Sequence, residues 1–130
     1  MSNKTILSVK GLSVTFTNQE VVHQISFSVS ENQIVGIVGE SGSGKSITSL
    51  AIVGLLPQNA EVSGEIIFDG KNYSSLSNKE WQQVRGKEIG FVFQEPMSSL
   101  NPTMKCGKQV AEVLSQHTSL FKEEIKSEVL

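Results

Sequence analysis

Residues Gly39-Glu40-Ser41-Gly42-Ser43-Gly44-Lys45-Ser46 read G-x-x-x-x-G-K-S, and few folds can carry that octet. It needs a strand to end, a loop to curl its backbone N–H groups around an anion, and a helix to begin at once. The flanking residues match that order. Ile34-Val35-Gly36-Ile37-Val38 is a continuous apolar run, the pattern of a strand buried on both faces. After Lys45, apolar residues fall at Ile47, Leu50, Ala51 and Leu55, a helical spacing. The octet therefore predicts a nucleoside triphosphate site. Its glycines let successive N–H groups point at the phosphates, Lys45 reaches the β- and γ-phosphates, and the Ser46 hydroxyl ligates Mg²⁺. The helix that starts after Gly44 adds its dipole and free donors.

Composition excludes some functions. With 130 residues the chain suits one modest domain. Eleven basic against thirteen acidic residues leave a net charge of −2, so charge gives no argument for nucleic acid or an anionic membrane. Cys106 is the only cysteine, so no intrachain disulfide can form and a reducing compartment fits. Met1 to Ile6 lacks the apolar core of a signal peptide. The densest apolar stretch, Leu50 to Leu56, is far too short to span a bilayer.

Periodicity supplies the remaining elements. Leu12, Val14 and Phe16 alternate with Ser13 and Thr15, predicting a half-buried strand; Ile25, Phe27 and Val29 predict a second, joined to it by a turn over Thr17 to Glu20. Ser63 to Phe68 predicts another strand, closed by Asp69-Gly70. Ser77 with Glu80 reads as a capping box opening a short helix through Trp81 and Val84, stopping near Gly86. Glu88 to Phe93 predicts a strand with Ile89, Phe91 and Phe93 on one face, then a loop from Gln94 to Pro102. Helices are expected at about Lys108 to Gln116 and from about Lys122 onward. His23 reads as a surface or edge residue, His117 as a helix-end residue and Trp81 as core or interface.

Three features converge on one family. The octet follows two antiparallel-looking strands, Gln94 ends an apolar strand 49 positions after Lys45, and the next loop reads Gln94-Glu95-Pro96-Met97-Ser98-Ser99-Leu100-Asn101-Pro102. Together these resemble the nucleotide-binding subunits of ABC transporters, and more narrowly the oligopeptide/dipeptide importer branch, over about Leu7 to Leu130. The resemblance implies an α/β fold: part of a P-loop NTPase core with an N-terminal antiparallel β-subdomain, residues 1–130 being the front part of a single nucleotide-binding domain.

The resemblance also implies roles. Phe16 stacks on adenine; Gly39, Glu40, Ser41, Gly42, Ser43, Gly44, Lys45, Ser46 and Ile47 hold the nucleotide. Lys45 and Gln94 act in catalysis, and Ser46 and Gln94 face Mg²⁺. Met97 to Leu100 lie near a transmembrane subunit. Implied partners are a second ABC ATPase subunit, as homo- or heterodimer, transmembrane permease subunits that contact the loop after Gln94 and, indirectly, an extracytoplasmic solute-binding protein, with no nucleic acid. The implied place is the cytoplasmic face of the cell membrane. The implied cargo is peptide, with nickel, glutathione or sugars carried by close relatives.

The departures are also informative. The family's Leu-Ser-Gly-Gly-Gln signature, the Asp and Glu after its fourth core strand and its switch His do not occur in this sequence. The final segment from Lys122 is mid-pattern at Leu130. The expectation is therefore an ATPase only as part of a longer protein, with residues 1–130 inactive alone. The strand Ile34 to Val38 is expected to pair with a later strand. Two other readings are a soluble ABC protein without a transporter, which the Gln94–Pro102 string disfavours, and a short ATP-binding module without hydrolysis, which the unterminated last helix disfavours.

Overall fold

A computed structural model describes residues 3–130, so the signal-peptide reading at Met1 and Ser2 lies outside the described residues. The chain divides into two compact units, one up to Ser77 and one from Asn78.

The first unit is built on a four-stranded antiparallel sheet. Its strands are β1 (Thr5–Phe16), β2 (Gln19–Ser30), β3 (Ala60–Phe68) and β4 (Lys71–Asn72), in the order β2-β1-β3-β4. Two-residue turns set the registers. Thr17 and Asn18 have φ of 45° and 67°, and Asp69 and Gly70 have 44° and 78°, the left-handed pairs whose twist matches a hairpin. The core collects on β1, where Val9, Leu12 and Val14 are fully enclosed, with Val22, Ala51, Val53, Ile66 and Tyr73 around them. Helix α1 (Lys45–Ile52) lies against β1 and buries Thr48 and Ala51.

Strict alternation fails at one place in β1. Ser13 is buried between Leu12 and Val14, although the pattern put it on an open face. The ladder is irregular here, and Ser13 Oγ accepts the Gln24 N–H at 3.0 Å. A buried hydroxyl is tolerable when it satisfies a backbone donor that the bulge would otherwise leave unmet.

The expected strand Ile34–Val38 does not form. Ile34 is 98% and Val38 93% exposed, and no ladder includes either. An apolar run becomes a buried strand only if neighbours supply hydrogen bonds on its edges and cover on its faces. Among the described residues nothing does so for this segment.

The second unit is helical. It contains α2 (Asn78–Val84), α3 (Pro96–Ser99), α4 (Cys106–His117) and α5 (Lys122–Val129). α2 begins directly after Ser77 and buries Trp81, with the Arg85 guanidinium 5.2 Å from the indole centroid, within cation–π range. α4 ends at His117, as its position predicts, and packs on α5. The expected strand Glu88–Phe93 is likewise absent, for the same lack of a partner. One isolated bridge joins Arg85 and Ile89, and the Phe91 and Phe93 rings meet edge to face at 4.9 Å instead.

Candidate functional site

The G-x-x-x-x-G-K-S segment folds as a tight loop onto the start of α1. Ser43 N donates to Glu40 O at 3.1 Å, closing a turn. Gly42 and Gly44 have φ of 80° and 90°, so left-handed residues flank Ser43, a backbone form that turns N–H groups inward. A Cβ at Gly39 would meet Ser43 Oγ at 2.5 Å, so the Ser43 hydroxyl would have to swing aside to admit one. Lys45 Nζ reaches back across the loop and donates to Gly39 O at 2.7 Å, Glu40 O at 2.6 Å and Ser43 Oγ at 3.2 Å. All three ammonium hydrogens thus meet acceptors of the loop itself.

The helix start is open to an anion. Gly44 is the N-cap, and no side chain caps the helix; its first turn carries no acidic residue. Gly44 O accepts from Thr48 N at 2.9 Å and from Thr48 Oγ1 at 2.8 Å, which fixes the cap peptide from the helix side. Ser46 is exposed in the first turn and Ile47 half-buried behind it. Glu40 and Ser41 are exposed on the outer limb.

The structure holds Gly39 to Ile47 in one segment, the loop and the first turn of α1. Phe16 is half-buried at the end of β1, paired with Gln19 and Ala60. Gln94 belongs to the second unit, where it is exposed and lines an open depression with Phe93, Glu95, Ser98 and Ser99. The loop after it is partly helical, because Pro96 starts α3 and Ser98 and Ser99 return hydrogen bonds to Glu95 O and Pro96 O. Gln109 of α4 ties down its far end, bonding Asn101 N and O and Met104 O.

Sequence reasoning overlooked two contributors. Thr48 bonds the cap carbonyl, a role its position four residues after Gly44 could have signalled. Val21 and Val22 of β2 stand directly behind Gly44, and nothing in the local sequence pattern points to that contact. His23 is exposed and pairs with Glu20 at 3.1 Å. The Glu20 carboxyl lies below the usual range, chiefly through the Ser13 hydroxyl and then His23.

A strand-rich subdomain leading into a phosphate-type loop on a helix defines a P-loop nucleotide-binding fold. Residues 22–129 match the ABC transporter family, and the chain belongs to it. It is 48% identical over 127 residues to the oligopeptide transport ATP-binding protein OppD of Bacillus subtilis (strain 168), covering 93% of this chain and 36% of that protein. It is 45% identical over 122 residues to the dipeptide transport ATP-binding protein DppD of Lactococcus lactis subsp. cremoris, covering 90% of this chain and 35% of that protein. The metal-staphylopine import system ATP-binding protein CntD of Staphylococcus aureus is 41% identical over 128 residues, covering 97% of this chain and 47% of that protein. The chain thus spans less than half the length of these relatives. In fold it is similar to a dimeric ATP-binding cassette solved in a post-hydrolysis state with ADP and Pi. There the TM-score is 0.77 at 23% identity, covering 95% of this chain and 54% of that one.

Proposed function

We propose that this chain is the ATP-binding part of an ATPase that powers import of peptides or related small solutes. The observation that carries the reading is the loop Gly39–Ser46, with its Lys45 ammonium and its uncapped helix start. A polyphosphate is a better acceptor for the Lys45 ammonium than the neutral carbonyls it now bonds, because the phosphate oxygens carry the opposite charge. The backbone N–H groups at the start of α1 take the remaining phosphate oxygens. Phe16 offers a π-face to adenine.

Mg²⁺ would take one or two protein oxygens beside substrate phosphates and keep several waters; the exposed Ser46 hydroxyl in the first turn of α1 suits one such place, and the family resemblance assigns Gln94 to the ion as well. When bound, the ion offsets charge on the β- and γ-phosphates. Ser46 would hold the ion, Lys45 would neutralise phosphate charge, and the role proposed for Gln94 is toward metal or water.

The names of the relatives support a transport role, and peptides lead among their cargos. The partners proposed are a second ATPase subunit, permease subunits at the loop after Gln94, and an extracytoplasmic solute-binding protein acting through them. Among the described residues no helix is long and apolar enough to cross a membrane, and the proposed place is the cytoplasmic face, held by the membrane subunits.

Lys45→Ala in the full-length protein tests the reading. Loss of a charge-assisted contact costs about 1.5–3 kcal/mol, so ATP affinity should fall at least about tenfold by calorimetry. Peptide uptake by the reconstituted transporter should stop. Unchanged affinity refutes the phosphate role, and unchanged uptake refutes the importer role.

A further inference from the structure

The tightest approach to the phosphate loop comes from behind it, from β2. Gly44 is buried and holds φ 90° and ψ 9° at the point where α1 begins. A methyl built on it would stand 2.9 Å from Val21 O and 3.2 Å from Val22 Cγ2. Val22 is 4% exposed and lies opposite Val14, which is fully enclosed, in the β1–β2 ladder. A β-branched side chain so packed is stiff at χ1, which holds Cγ2 in one place. On its other side Gly44 is gripped by both Thr48 bonds. Between the hairpin and the helix there is thus room for a glycine at this cap and not for a side chain.

We infer that Val22 is a positioning residue for the phosphate loop: its Cγ2 methyl sets the Gly44 cap, and through it the aim of the N–H groups that follow. The β1–β2 hairpin thus reports to the phosphate end of the site as well as carrying Phe16. The inference rests on the proposed nucleotide role of the loop. It requires that phosphate affinity follow the Cγ2 methyl and not the apolar volume of the side chain. Val22→Leu adds one methylene, the same volume that Val22→Ile adds, but moves the branch outward and leaves a single γ-carbon in place of two. Val22→Ile keeps the β-branch and a carbon at both γ positions. Val9→Leu makes the same change in the same core, at a residue 1% exposed that takes no part in the Gly44 contacts.

The experiment measures Mg²⁺-ATP and Mg²⁺-tripolyphosphate affinity in the full-length protein, with melting temperatures alongside. Val22→Leu should weaken both ligands by the same factor, roughly tenfold, the worth of one misdirected charge-assisted donor. Val22→Ile and Val9→Leu should bind tripolyphosphate like the wild type. If Val22→Leu does not fold, Val22→Ala removes the same methyl and is read in the same way. Wild-type tripolyphosphate affinity in the variant lacking Cγ2, or an equal loss in Val9→Leu, overturns the inference while Lys45→Ala still weakens binding. If Lys45→Ala changes neither affinity, the nucleotide reading has failed and this inference falls with it.

Discussion

Val14 and Val38 are the same residue in two apolar runs of the same unit, yet Val14 is fully buried and Val38 is 93% exposed. The run around Val38 is the more hydrophobic of the two, with four apolar residues in Ile34–Val38 against three in Leu12–Phe16. Hydrophobicity therefore does not decide which run is buried. β1 has β2 on one edge and β3 on the other, each joined by an antiparallel ladder. Ile34–Val38 has no such neighbour among the described residues. The second unit repeats the lesson, since Val92 is 86% exposed in a run that also lacks a ladder. Backbone partners come first and side-chain burial follows, because an apolar strand with unmet N–H and C=O groups gains little by leaving water.

Hydrogen exchange of residues 3–130 should show the largest contrast. Amides of β1 in the ladder should exchange only through global opening, and those of Val35 to Val38 almost at the rate of free chain. The ratio should reach at least about 10³, the protection that a stability near 5 kcal/mol confers. Equal protection of both segments would mean that Ile34–Val38 has a partner.

A matched pair of substitutions sharpens the contrast energetically. Val14→Ala should cost about 1.5–3 kcal/mol, the worth of a fully buried valine, while Val38→Ala in the same chain should stay within about 0.5 kcal/mol. Urea midpoints of the two variants give the comparison. A Val38→Ala loss as large as that of Val14→Ala would remove the distinction.

The same contrast marks what was legible in the sequence. The hairpin β1–β2 could be read because its pattern, its turn and its partner are neighbours in sequence. The loop and α1 could be read because Gly39, Gly44 and Lys45 have fixed spacing and α1 has its own apolar stripe. α4 and α5 could be read from helical periodicity. Ile34–Val38 and Glu88–Phe93 were misjudged because periodicity reports what a segment would bury and not whether anything covers it. The Ser13 hydroxyl was missed because it answers a backbone group eleven residues away, the Gln24 N–H, and Val22 because it lies beside the Gly44 cap only in the fold. Gln94 was placed by its motif, and its role remains the reading that the Gln94–Pro102 string supports.

The smallest effect belongs to a charged contact at the edge of the paired sheet. Lys4, just before β1, bonds the carboxylate of Asp69 in the β3–β4 turn, and both side chains are more than half exposed. The hydrogen bond and charge of Lys4 hold the Asp69 carboxyl below its ordinary value, and Asp69 raises the Lys4 ammonium in turn. The signs define a window. A depressed carboxyl contributes stability that is whole above its unfolded pKa of about 3.9 and is lost as pH falls through the lower folded value. A raised ammonium contributes stability that is whole below about 10.4 and is lost as pH rises through the higher folded value. Asp69→Asn removes the pair but keeps a residue that tolerates the φ of 44° found there. Urea midpoints of wild type and Asp69→Asn should differ by a small, constant amount near neutral pH and converge below about pH 4. The gap should also close in about 1 M salt, where screening reaches about 3 Å. A gap that survives both acid and salt would show that Asp69 holds its turn through the backbone alone.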